Sequence, residues 1–329
     1  MKYLITGGLG VIGSLCVRKL SADGHEVTIV DDGSDRRHMF NAPDVDLIFQ
    51  SRLEETEGSI LAELVEQNDR VLHAAASTGI PYSAQEPLDD WRRNVDGTIA
   101  LLEALRKHPK PTVVLSSVKP YGLDALRFME RPTRYELSGG GVSEAYPLLP
   151  DEPYAASKAA QSMIAAAYAR TYDLPITVFR CSNLYGPAAC HGARHGWLTW
   201  FCIQAALGRP IEIQGAGNQT RDMLFWSDVL DACDRAWMRG GSGLILNLGG
   251  GRHNTLSPLE AVATLRSLGA TVETVSAPGR VNEDVLFVTD TTAASVRLGW
   301  MPAVEVTDGV GQVYEWACEK KDRLGKVYP

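Results

Sequence analysis

Short apolar runs alternate with amphipathic stretches through the first half of the chain. The runs Lys2–Thr6, Glu26–Asp31, Asp46–Gln50, Arg70–Ala75, Thr112–Ser117 and Ile176–Cys181 predict buried strands. Patterning with the helical period predicts helices at Val11–Ala22, Thr56–Glu66, Asp89–Lys107 and Pro153–Tyr172. Helices alternating with buried strands imply crossover connections, hence an α/β fold with a doubly wound parallel sheet covered on both faces. Such a sheet binds its ligand outside the carboxyl ends of its strands. Two stretches break the rhythm. Leu123–Leu149, with Ser138-Gly139-Gly140-Gly141 inside it and Pro147 and Pro150 near its end, predicts a long functional loop. From about Ser182 the pattern turns to mixed short strands and helices, which predicts a smaller mixed α/β lobe over residues 183–329 beside a first domain of residues 1–182. Some exchange of chain between the two is expected.

Composition narrows the class. At 329 residues the chain suits about two lobes, and 45% hydrophobic with 22% charged residues is ordinary for a globular protein. A net charge of −8 argues against general nucleic-acid or anionic-membrane binding, which need basic patches. No apolar run reaches the roughly 18 residues of a membrane span. The first residues enter a strand directly without a signal-peptide pattern, so a cytoplasmic location is expected. Cysteines 16, 181, 190, 202, 233 and 318 form no C-x-x-C pair, which predicts buried free thiols. Nothing shows metal-ligand spacing.

The first strand runs into Gly7-Gly8-Leu9-Gly10-Val11-Ile12-Gly13 and then a helix. In this context Gly7 permits the tight turn, Gly10 lets the backbone approach a pyrophosphate, and Gly13 lets helix and strand pack closely. The start of the helix, at Val11 and Ile12, supplies the positive end of its dipole. The second strand ends at Asp31, where a carboxylate can accept both ribose hydroxyls and repel a 2′-phosphate, favouring NAD over NADP. Arg36 and Arg37 follow and could hold that phosphate instead. Small residues after the fourth strand, Ala74-Ala75-Ala76, let a dinucleotide lie against the backbone, while His73 reads as a satisfied, partly buried histidine.

Tyr154-Ala155-Ala156-Ser157-Lys158 places a phenol and an ammonium one turn apart on one helix face. A nearby cation is expected to lower the tyrosine from its usual value of about 10 and make a general base. The fifth strand ends in Ser116-Ser117, which sets a hydroxyl beside a reacting oxygen.

Together these motifs resemble the extended short-chain dehydrogenase/reductase family. The likeness extends over Asn94-Val95-Asp96-Gly97-Thr98, Arg180-Cys181-Ser182-Asn183-Leu184-Tyr185-Gly186-Pro187, Gln219-Thr220-Arg221-Asp222, Asn247-Leu248-Gly249-Gly250 and Leu298-Gly299-Trp300. The resemblance implies a Rossmann domain binding NAD, catalysis by Ser117, Tyr154 and Lys158, and Asn94 and Ser116 among the cofactor contacts. It also implies a nucleotide-diphosphate sugar as substrate, with Thr78, Lys119, Asn183, Trp197, Arg221 and Arg280 as binding residues. A homodimer through the two long helices is expected, for which Ile99, Leu102, Ile164 and Ala167 could supply apolar outer faces or else belong to the core.

Branches of that family differ after the serine. Dehydratases and decarboxylases carry an acid there, which elimination needs; this chain reads Ser117-Val118-Lys119-Pro120-Tyr121-Gly122. The segment is similar to the CDP-paratose (CDP-tyvelose) 2-epimerase branch. So are Thr133-Arg134-Tyr135, the stretch from Gly196 to Cys202, and Arg280 with Glu283 and Asp290. Val118, Pro120, and Arg52 at the usual adenine-facing position depart from the pattern. The expectation is a sugar epimerase that oxidises one carbon, C2 favoured, to a keto-sugar and returns the hydride to the opposite face. A 4-epimerase, a net oxidoreductase or dehydratase, and a non-catalytic NAD-binding regulator are the alternatives.

Overall fold

The computed structural model describes residues 1–34, 47–189, 192, 196–279 and 284–328, without the side chains of 47 and 48. Arg36, Arg37, Cys190, Arg280 and Glu283 lie outside these. Fifteen strands are described: β1 Lys2–Thr6, β2 Glu26–Asp31, β3 Leu47–Gln50, β4 Arg70–His73, β5 Thr112–Ser117, β6 Phe128–Glu130, β7 Tyr135–Leu137, β8 Ile176–Cys181, β9 Asn183–Tyr185, β10 Ile211–Gln214, β11 Thr220–Phe225, β12 Leu244–Leu248, β13 Thr255–Leu256, β14 Thr274–Ala277 and β15 Leu286–Phe287. The helices are α1 Val11–Ala22, α2 Gly58–Glu66, α3 Ile80–Gln85, α4 Pro87–Trp91, α5 Gly97–Lys107, α6 Pro153–Tyr172, α7 Trp197–Leu207, α8 Trp226–Arg239, α9 Pro258–Ser267, α10 Thr292–Leu298, α11 Val306–Glu319 and α12 Lys321–Val327.

Seven strands form one parallel sheet in the order β12-β8-β5-β4-β1-β2-β3. The order reverses between β1 and β4, so the carboxyl ends of those two strands flank a crevice where a dinucleotide can lie. Alternation along the strands splits the core between the two faces. Tyr3, Ile5, Leu72, Val113 and Leu115 pack on the α1 and α8 side. Leu4, Val71, Val114, Ile176 and Val178 pack under α2, α5 and α6. Burying one such side chain is worth about 1.5–3 kcal/mol, which is why the register is fixed and the strand ends are reliable places to mount a site.

The second region is built on β11, which pairs with β9 and β15 in parallel and with β13 antiparallel. Its core joins Leu198 and Phe201 of α7, Val262 of α9 and Val310 of α11. Ser257 opens α9 with a reciprocal capping box to Glu260; such a cap contributes about 1 kcal/mol. After β9–β11 the chain returns to the first region, where β12 extends the large sheet beside β8.

Several expected elements change. β4 stops at His73, and Ala74–Ala76 continue as irregular backbone. The expected helix 89–107 is three pieces, α4, a π-helical turn Arg92–Asp96 and α5. The expected loop Leu123–Leu149 instead contains the hairpin β6–β7. It is fastened across the second region by Tyr135 N–H to the Asn218 carbonyl at 2.9 Å and Ser257 Oγ to the Thr133 carbonyl at 2.6 Å. Leu102 is fully buried in the core and cannot serve an outer face. Cys16, Cys181, Cys202 and Cys233 are buried, but Cys318 is exposed. No helix among the described residues is long and apolar enough to cross a membrane.

Candidate active site

At the end of β1, Gly7 has φ +71° and donates its N–H to the Val30 carbonyl at 2.8 Å. A Cβ on Gly7 would lie 2.4 Å from the Ala75 nitrogen, and one on Gly13 would lie 2.0 Å from the Gly7 oxygen. Neither neighbour is a flexible side chain, so only glycine lets the turn, the β4 end and α1 close on one another. Gly10 stands between them, and Val11 and Ile12 open α1, whose first N–H groups have no partner within the helix. Asp31 accepts from Leu9 N at 2.9 Å and from Gly33 N at 2.8 Å. The carboxylate at the end of β2 therefore also braces the glycine turn. Arg52 is held by Asp89 at 2.8 Å, and Arg93 joins Asp89 at 2.7 Å to Asp32 at 2.9 Å. The arginine at the usual adenine-facing position is thus part of an ion network next to Asp31.

Two expected cofactor residues sit differently. Asn94 is fully buried in the π-helical turn. Its amide oxygen accepts from Ser77 N at 2.9 Å, and its nitrogen donates to Ser157 Oγ at 2.9 Å and the Ser77 carbonyl at 3.2 Å. It locks the loop after β4 to α6. Ser116 donates to the Lys158 carbonyl at 2.9 Å and ties β5 to the same helix. Both therefore fasten the elements that carry the site.

Tyr154 and Lys158 sit in the first turns of α6, which begins with Pro153. Ser117, at the end of β5, lines the same cleft as Tyr154 and accepts from Lys119 N at 3.1 Å. The expected effect of Lys158 on the phenol is not what the geometry gives. Burial pushes the Tyr154 phenol up to about 12, partly offset by the neighbouring Ser117 hydroxyl. The Lys158 ammonium donates to the Leu115 carbonyl at 3.0 Å and to Gln161 Oε1 at 2.6 Å, and burial draws it down to about 8. His73, expected partly buried, is fully buried, down to about 3 and so neutral, and hydrogen-bonded at both ring nitrogens.

Between the two regions an open cleft of about 180 Å³ is lined by Ser117, Lys119, Tyr154, Asn183, Arg221 and Asp284, with Ile80, Tyr121 and Phe287 as apolar walls. Alternation along β11 puts Arg221 towards this cleft and Asp222 into the protein. There Asp222 accepts from Thr289 N at 3.1 Å and is pushed up to about 6 by burial. Thr78 is exposed on the loop after β4. Trp197 packs edge-on against Phe201 with ring centroids 5.3 Å apart. Neither is among the residues lining the described cleft.

Sequence reasoning missed Asp284 and Glu152. Lys119 Nζ reaches Asp284 at 3.0 Å and Glu152 at 4.0 Å, and burial raises the Glu152 carboxyl. Asp284 is 165 positions from Lys119 in the chain, so no local pattern marks it. No acid directly follows Ser117 in the sequence; the described cleft takes Asp284 from the second region.

A sheet reversing over a glycine cradle, beside a serine–tyrosine–lysine cleft, defines a dinucleotide-dependent enzyme acting on a hydroxyl-bearing carbon. The sequence profile of the NAD dependent epimerase/dehydratase family matches residues 3–249, and the chain belongs to that family. It is 30% identical to the CDP-paratose 2-epimerase of Salmonella typhi, over 96% of this chain and 99% of that protein. It is 31% identical to the dTDP-glucose 4,6-dehydratase of Streptomyces niveus, over 96% and 92%. Among solved structures, the UDP-glucose 4-epimerase of Thermotoga maritima with UDP-glucose superposes with a TM-score of 0.84 at 26% identity, covering 98% of this chain and 100% of that one. The cofactor is NAD, and the cradle fits it: Gly7 and Gly13 let the turn close, bare backbone at Gly10 would admit a pyrophosphate, Asp31 would meet the ribose, and the small side chains of Ala74–Ala76 would leave room beside them.

Proposed function

We propose that the chain is a nucleotide-sugar epimerase, with C2 as the favoured carbon. The observation that carries this is a single cleft that brings Ser117 and Tyr154 together with Asn183 and Arg221. A planar guanidinium suits phosphate oxygens, so Arg221, with Asn183 beside it, holds the diphosphate while the sugar reaches Tyr154. Arg280 keeps its place as a further candidate for the same anion, outside the described residues. Tyr154 takes the hydroxyl proton, and Ser117 donates to the oxygen that becomes a carbonyl. Bound NAD supplies reversible hydride acceptance. Ser117-x-Lys119-x-Tyr121-Gly122 and the likeness to CDP-paratose 2-epimerase favour C2. Gly139–Gly141 lie on the strap that crosses the second region, outside the lining of the described cleft. A cytoplasmic homodimer through α5 and α6 remains part of this reading.

One observation favours a second reading. Asp284 lines the same cleft as Ser117 and Tyr154 and is the acid an elimination would call on, so a 4,6-dehydratase is the alternative. A panel of CDP-, UDP-, GDP- and dTDP-hexoses separates the two by product analysis. The epimerase gives a product of unchanged mass with one inverted centre by NMR. A product lighter by one water would replace it with the dehydratase, and steady accumulation of NADH would replace both with a net dehydrogenase.

A further inference from the structure

A continuous buried chain of hydrogen bonds runs from Lys158 to the start of the glycine turn. Lys158 Nζ donates to Gln161 Oε1 at 2.6 Å. Gln161 Nε2 donates to Thr98 Oγ1 at 3.2 Å, Thr98 Oγ1 lies 2.8 Å from His73 Nε2, and His73 Nδ1 lies 2.7 Å from Thr6 Oγ1. Gln161, His73, Thr98 and Thr6 are all fully buried.

Donor counting fixes every orientation. Thr98 uses its one hydroxyl proton on the Asn94 carbonyl at 2.7 Å, so its oxygen can only accept from His73 and Gln161. His73 therefore carries its proton on Nε2, and Nδ1 accepts from Thr6. With its nitrogen committed to Thr98, the Gln161 amide must turn its oxygen to Lys158. Each link is neutral, so the ammonium is aimed without being cancelled.

We propose that Gln161 is a positioning residue for Lys158: its amide oxygen, held by the Thr98–His73–Thr6 chain, fixes the ammonium at the Leu115 carbonyl without setting an opposite charge against it. The other groups acting on Lys158 are the Asp90 carboxylate of α4 and the Cys181 thiol of β8, with His73 on β4. Asp90 is itself engaged by Ser157 Oγ at 2.6 Å and Asn94 at 3.3 Å, and burial holds Cys181 near 12, as the neutral thiol. An amide in place of a carboxylate at position 161 therefore adds no second negative charge beside the ammonium. The proposal rests on the reading of Tyr154 as the base.

The test needs no substrate. Lysine side chains labelled at Cε are titrated by NMR, and the Lys158 signal is identified by its loss in Lys158→Met. In the full-length protein it should titrate near 8. Gln161→Glu sets an opposite charge beside it and should raise that midpoint by roughly one to three pH units. Gln161→Met removes the acceptor at similar volume and should lower it, so the second variant decides if the first does not fold. Midpoints unmoved in both overturn the proposal, because a merely structural glutamine would change stability alone. In turnover, Gln161→Glu should move the rising limb of the kcat profile to higher pH with KM little changed. A limb that stays put while Tyr154→Phe is inactive overturns this proposal alone; an active Tyr154→Phe overturns the assignment of the base.

Discussion

The cofactor cradle and the substrate cleft are assembled in opposite ways. The cradle is built from backbone within one strand–turn–helix unit plus the ends of β2 and β4, and its key positions are defined by the absence of a Cβ. The cleft is built from side chains that come from both regions: Ser117 and Lys119 after β5, Tyr154 on α6, Arg221 on β11 and Asp284 just before β15. A backbone site tolerates little change in shape, and a side-chain site tolerates little change in chemistry. The comparison therefore predicts which substitutions lose the cofactor and which lose the reaction.

The largest expected effect lies in the cleft. Tyr154→Phe should keep NAD bound while turnover falls by about two to four orders of magnitude, the usual worth of a positioned acid–base group. Calorimetry for NAD and an assay of the sugar product together check the split. Wild-type-like turnover would remove Tyr154 from the mechanism.

In the cradle, Gly13→Ala forces a methyl to within 2.0 Å of the Gly7 oxygen. Overpacking of this kind costs about 1–3 kcal/mol, and here the relief must come from the turn that faces NAD. Both melting temperature and NAD affinity should fall, whereas a change in melting temperature alone would mean that the turn and the binding surface are separable. The Asp31 prediction is of similar size. Its carboxylate should make NAD bind more tightly than NADP by roughly 1–3 kcal/mol, and equal binding by calorimetry would show that a nearby arginine has overridden it.

Asp222 joins the two regions through pH. Its folded value of about 6 lies above the ordinary aspartate value of 3.8, so between these values the folded chain holds the extra proton. Stability contributed by this group is present below pH 3.8 and is lost as pH rises to about 6, by up to about 3 kcal/mol. Denaturant unfolding of the wild type relative to Asp222→Asn should show that loss, and parallel profiles would contradict it. The smallest effect is expected at the cleft mouth. Asp284→Asn removes the partner of Lys119 and should change KM for the sugar nucleotide by several fold while NAD affinity stays constant, which a titration of each ligand resolves.

The same contrast explains what the sequence made legible. β1, β2, β5, β8, α1 and α6 have the bounds their patterns predict, because each is long or carries a buried run. The roles of Gly7, Gly10, Gly13 and Asp31 could be read from the sequence since the unit that would use them is local. Asn94 and Ser116 were identified as important, but only the structure reveals what they fasten. Asp284 carried no signal, for its meaning comes only from the approach of the second region to Lys119. Proximity in sequence also misled on Tyr154: one helical turn separates it from Lys158, yet the ammonium turns to Leu115 and Gln161 and burial dominates the phenol.

The measurement that tests the account most directly follows a single hydrogen. A sugar nucleotide deuterated at the reacting carbon, C2 first, is converted in ordinary water and the inverted product is examined by NMR and mass spectrometry. Hydride return within the Ser117–Tyr154 cleft predicts that the deuterium remains on the inverted carbon. Inverted product that has exchanged its label with solvent would show proton abstraction beside a carbonyl and contradict the mechanism.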